Sequence, residues 1–121
     1  MIVTTPQDVA LLDVGRGMAM FAQVSTPVLG LVENMSGYRC DRCGTVDPIF
    51  GERGADALAA RFEVPVLARI PLVPAVRSSG DDGRPIVAAE PDHPVSRIFR
   101  DLARRVAADV ARTAPAFVVA G

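Results

Sequence analysis

Val28-Leu29-Gly30-Leu31-Val32 is an uninterrupted apolar run with no polar alternation. A strand of that kind has no face to offer water, so it belongs in the centre of a parallel sheet covered by helices on both sides. It ends abruptly in Glu33-Asn34, and the segments around it supply the remaining parts. Ile2-Val3-Thr4-Thr5 reads as a buried strand at the very start of the chain, and Val66-Leu67-Ala68-Arg69-Ile70-Pro71 as the next one. Thr5-Pro6-Gln7-Asp8 has the signals of a helix start, with Thr5 as cap and Pro6 in the first turn. That helix is expected to run to about Gln23, with Val9, Leu12, Gly15/Arg16 and Ala19 on one side and Leu11, Met18 and Phe21 widening the apolar face.

A second helix is expected over about Gly54 to Phe62, with Leu58 and Phe62 inward. Pro74 to Ser79 reads as a short helical turn, residues 79–83 as a loop and Pro85-Ile86-Val87 as extended. Asp92-His93-Pro94 opens the longest helix, in which Val95, Ile98, Phe99, Leu102, Val106 and Val110 form one stripe. The tail from Thr113 to Gly121 is expected to fray. Strands alternating with helices give an α/β fold, a parallel sheet with flanking helices. With so few strands, and a buried one at the start, the chain looks like the second half of a larger α/β domain.

The chain has two cysteines, Cys40 and Cys43, in a stretch of polar and turn-forming residues from Ser36 to Asp47. At that spacing both sulfurs can face one metal or cluster edge. A redox pair and a chance occurrence are the alternatives. A thioredoxin-type pair opens a helix, whereas Gly44-Thr45-Val46-Asp47-Pro48 does not read as a helix start. Two sulfurs are half of a four-ligand site, and two copies of the loop facing each other across a two-fold axis complete it most simply. Arg39 and Arg42 flank the thiols and either favour thiolates or are solvated. Glu33 orients a loop or faces water, and the second reading is favoured. His93 belongs to a helix cap, Asp81 and Asp82 to an exposed turn, and Met18, Met20 and Met35 to packing.

Charge narrows the function. Thirteen basic residues against fourteen acidic ones leave a net charge of −1, spread along the chain, with no footprint for nucleic acid or an anionic membrane. No apolar run is long enough to span a bilayer and no secretory leader is visible, so an intracellular, cytoplasmic protein is expected. Every basic residue is arginine; without a lysine the chain contains no phosphate-binding P-loop.

The segments VTTPQDVALLDVGRG (3–17), PVLGLVENMSGYRCDRCG (27–44), IFGERGADALA (49–59) and VPVLARIPLVPAVRSSGDDGRPIV (64–87), in this order, resemble the C-terminal half of the Mrp family of iron–sulfur cluster carrier ATPases. The resemblance covers about residues 2–108. It implies a Rossmann-like P-loop NTPase domain of the MinD and nitrogenase-iron-protein type and an ATP- and Mg²⁺-binding homodimer. A [4Fe–4S] cluster held between subunits by Cys40 and Cys43 would be delivered to apo iron–sulfur proteins. It also places Asn34 against the adenine base and Pro71, within the Ile70 to Pro74 segment, on the base's other side; an amide offers adenine a donor and an acceptor together.

Three departures stand out. The family's P-loop lysine, switch aspartate and DxPPG segment would precede Ile2. Val73 stands where aspartate is common, and Glu52-Arg53-Gly54 replaces a more glycine-rich run. A fragment of the domain over residues 1–121 is therefore expected, unable to hydrolyse ATP alone. A structural zinc module that holds a dimer through the same cysteines, or an inactive truncated chain, are the competing readings.

Overall fold

Leu31 and Val32 set the architecture, because successive strand residues face opposite ways and both of these are buried. Leu31 packs with Met18, Ala55, Leu58 and Ala59 on one face of the sheet, and Val32 with Leu67, Ile70, Val73, Ile86, Val95 and Leu102 on the other. The computed structural model describes residues 1–113. The elements, in order, are β1 (Ile2–Thr4), α1 (Asp8–Gln23), β2 (Leu31–Arg39), β3 (Val46–Asp47), α2 (Gly54–Arg61), β4 (Val66–Leu72), α3 (Pro74–Asp81), α4 (Ile86–Ala89) and α5 (Pro94–Thr113). Helices α1 and α2 cover the Leu31 face; α3, α4 and α5 supply the core of the Val32 face.

Strand β2 is central. It runs parallel to β1 through Ile2↔Leu31, Val3↔Val32 and Thr4↔Glu33, and parallel to β4 through Leu31↔Val66 and Asn34↔Ile70. Beyond Asn34 it continues, and Tyr38 and Arg39 pair antiparallel with Asp47 and Val46 of β3. Since Leu31 pairs with both β1 and β4, and Tyr38 with both β3 and β4, strand β3 lies on the β1 edge further along the strand direction. The sheet is thus mixed, a parallel base with an antiparallel arm.

The expected strands, the helix at α2 and the long α5 stripe are present, with Val110 at the outer end of the stripe left half-exposed; β1, expected to be buried, is instead an edge strand with Val3 52% exposed. Several local expectations are corrected. The strand read at Val28 begins at Leu31 and runs on to Arg39, so residues 36–39 are strand and not loop. Helix α1 starts at Asp8, not around Thr5-Pro6. Pro6 is buried and wedged against Gly54, and the Thr5 hydroxyl bonds the Gln7 side chain (3.0 Å) and caps no helix. The buried side of α1 is Leu11, Val14 and Met18; Val9 and Leu12 are 75% and 68% exposed, and Met20 also faces out.

Helix α3 continues to Asp81 through the expected loop. The Ser78 and Ser79 hydroxyls donate back to carbonyls of the preceding turn, and Arg77 pairs with Asp81 at 2.6 Å. Pro85-Ile86-Val87 is a helical turn and not extended, because Pro85 O accepts the Ala88 and Ala89 amides (2.8 and 2.9 Å) while Ile86 enters the core. Apart from Thr113, which ends α5, the tail expected to fray lies outside the described residues. No described helix is long and apolar enough to cross a membrane.

Candidate functional site

The cysteines sit at the tip of the β2–β3 hairpin. Its turn closes through Cys40 N donating to Thr45 O (2.9 Å) and Gly44 N donating to Cys40 O (2.8 Å), with Gly44 at φ 73°. Cys40 is half-buried, Cys43 is exposed, and both thiols are free. Cys43 Sγ lies 3.2 Å from Thr45 Oγ1. Hydrogen bonds from the Thr45 side chain and backbone, and then from Cys40, hold the Cys43 thiol below its ordinary range. The thiol donates to Thr45 Oγ1, whereas a thiolate has no proton to give and would accept from the Thr45 hydroxyl and amide, so Thr45 supports Cys43 as a thiolate. Thr45 is not singled out by the sequence; its hydroxyl two residues after Cys43 is the signal that could have found it.

Replacing Thr45 by valine removes the hydroxyl at constant shape. The Cys43 thiol should then titrate higher, and its alkylation by iodoacetamide near pH 7.5 should slow roughly two- to fivefold, read by mass spectrometry. An unchanged rate removes Thr45 from this role.

At the base of the hairpin, Met35 takes φ 55°, the left-handed region that non-glycine residues rarely enter. It coincides with the register break between Asn34 and Tyr38, where β2 bulges before Tyr38 pairs with Leu72 of β4. Asn34 pairs with Ile70, so Pro71 follows immediately on the neighbouring strand, and both lie where the regular parallel pairing ends, toward the carboxyl ends of β2 and β4. Ligands of open α/β sheets bind at such ends. Pro71 has no amide to donate and fits the irregular stretch between Ile70 and Leu72. Val73 precedes α3 in extended conformation and is 1% exposed in the core. Arg53, in the run that departs from the glycine-rich pattern, adopts φ 52° just before α2, a conformation natural to glycine.

Glu33 was expected to face water. It is instead fully buried: Oε2 accepts the Ala55 amide (2.8 Å) in the first turn of α2, and Oε1 lies 3.3 Å from Arg69 Nε. Arg69 also pairs with Asp56, which Arg53 binds at 2.5 Å. The Arg53 hydrogen bond is the largest reason that the Asp56 carboxyl titrates below its ordinary range. His93 Nδ1 accepts the Val95 amide (3.1 Å), in keeping with the expected cap. Asp81 and Asp82 are exposed, as expected, at the end of α3. Among the described residues, no three His, Cys, Asp or Glu side chains converge on a possible metal position.

Parallel strands sandwiched by helices, with a hairpin carrying two free thiols beyond their carboxyl ends, define a Rossmann-like α/β fold. The solved structure of the cell division ATPase MinD from Pyrococcus furiosus superposes with a TM-score of 0.66 at 30% identity, over 87% of this chain and 40% of that one. The chain belongs to the ParA family of NUBPL iron-transfer P-loop NTPases, whose family model matches residues 1–107. It is 47% identical over 102 residues to the iron-sulfur cluster carrier protein of Pseudomonas fragi, covering 84% of this chain and 36% of the relative. To the iron-sulfur cluster carrier protein of Escherichia coli it is 46% identical over 109 residues, 90% of this chain and 30% of the relative. It thus spans about a third of the length of the curated relatives it matches.

Proposed function

We propose that this chain carries an iron–sulfur cluster as cargo and passes it to apo iron–sulfur proteins. The observation that carries the reading is the pair of free thiols at an exposed hairpin tip, with no third ligand converging on them among the described residues. Two copies facing each other through these tips bring four cysteine thiolates, the ligand set of one bridging [4Fe–4S] cluster. The tip suits cargo. A cluster held there stays open to incoming thiolates of an acceptor, which displace Cys40 and Cys43 by ligand exchange without any change in oxidation state. The names of the relatives support cluster transfer as the activity.

In this reading Asn34 and Pro71 contact the adenine of ATP, which is supported by their neighbouring positions on adjacent parallel strands. Residues 1–121 include no lysine for a P-loop, so they do not hydrolyse ATP by themselves. Anaerobic reconstitution with iron and sulfide tests the assignment. About two iron and two sulfide per chain in a dimer are expected. Stable zinc at about half per chain, with no iron uptake, would overturn it in favour of a structural zinc dimer.

A further inference from the structure

After Asn34 the regular pairing of β2 with β4 breaks, Tyr38 keeps one pairing with Leu72 of β4, and the chain runs through the cysteine hairpin to return at the start of α2. Both joints are unusual. Met35 and Arg53, one at each root, are non-glycine residues in the left-handed region, with φ 55° and 52°. Between the roots runs one buried link, from the Glu33 carboxylate to the Ala55 amide. A carboxylate that is 0% exposed is costly unless it is paired. This one is offset by the positive end of α2 and by Arg69, which is itself tied to Asp56 in the same first turn.

We propose that Glu33 is a positioning residue, whose carboxylate staples the two roots of the cysteine hairpin and thereby fixes where Cys40 and Cys43 point. This rests on the reading of those cysteines as metal ligands. The charge matters through its acceptor: one oxygen takes the α2 amide, the other faces Arg69, and the strained joints at Met35 and Arg53 are held in register by that bridge. Without it, α2 can fray at its first turn, and the hairpin swings on two joints that the local sequence does not favour.

The test compares Glu33→Met, which fills the volume without an acceptor, with Glu33→Gln, which keeps an acceptor for the Ala55 amide. Val95→Ala, in the core of the opposite face, controls for general loss of stability. Co²⁺ alone is titrated into each 121-residue chain and read by its thiolate charge-transfer absorption, and amide exchange is followed at Cys40 and Gly44 against α5. Glu33→Met is expected to weaken Co²⁺ binding about tenfold or more and to speed exchange at Cys40 and Gly44 relative to α5, with Glu33→Gln within about threefold of the parent. Equal effects in Val95→Ala and Glu33→Met, or no effect in Glu33→Met, overturn the staple. If the parent chain takes up no Co²⁺, the ligand reading fails, and the exchange comparison still decides on the staple by the same criteria.

Discussion

Replacing Cys40 by serine should abolish cluster binding. A serine hydroxyl is not deprotonated at neutral pH and is a poor ligand for iron that thiolates hold well. A bridging site draws two sulfurs from each copy, so one substitution per chain removes two of four ligands. Iron and sulfide after reconstitution should fall below about one tenth of the parent's, and the absorption of the cluster should vanish. The fold should survive, because Cys40 is half-buried at a turn held by the backbone bonds Cys40 N to Thr45 O and Gly44 N to Cys40 O, which serine keeps. A change in stability within about 0.5 kcal/mol is therefore expected. Retention of a full cluster by this variant would sink the assignment of Cys40 as a ligand. Zinc would be lost by the same substitution, so the identity of the metal has to be read from the parent protein.

Where the residues announce their burial by composition, the sequence was readable. Leu31-Val32, the Ile70 strand and the Val95 to Val106 stripe are apolar on the faces that meet the core, and they form the elements expected of them. The hairpin was not readable. Ser36-Gly37-Tyr38-Arg39 has no alternation, and it becomes strand because β3 and Leu72 of β4 lie on either side of it after the turn at Met35. Pairing, and not propensity, decides such a segment. The exposed Val9 and Leu12 mislead in the opposite sense, since they are spaced as a core face while Leu11, Val14 and Met18 face the sheet.

Of the proposed site residues, Cys40 and Cys43 come from their spacing, and Asn34 and Pro71 from the resemblance carried by the order of segments. Glu33 was not, because a polar residue at a strand end ordinarily faces water. Its burial depends on an amide 22 residues further on and on Arg69, which only the folded chain brings to it.

Gly30→Ala should be among the most damaging single-methyl additions in the chain. Gly30 lies where the chain enters β2, with its carbonyl accepting the Ile2 amide (3.0 Å) and the next amide, Leu31 N, donating to Pro65 O (2.9 Å). A Cβ at this position would stand 2.5 Å from that same Pro65 carbonyl and 2.7 Å from Leu67 Cγ. Leu67 is packed in the core, and the carbonyl is fixed by the bond it accepts, so neither can yield like the end of a flexible side chain. The strands must separate instead, at a cost of about 3 kcal/mol. Against a native stability of roughly 5–15 kcal/mol that is a large fraction, and the melting temperature should drop by roughly 10 °C or more. Gly17 supplies the contrast. It is inside α1 with nothing within 4 Å of its added Cβ, so Gly17→Ala should stabilise by about 0.5–1 kcal/mol. Urea unfolding of the two variants beside the parent decides the matter, and an alanine at 30 that costs nothing would show that β2 and β4 do not approach as described. The damage would also reach the site, because the register that Gly30 permits between Leu31 and Val66 sets Asn34 opposite Ile70 and Glu33 within reach of Arg69.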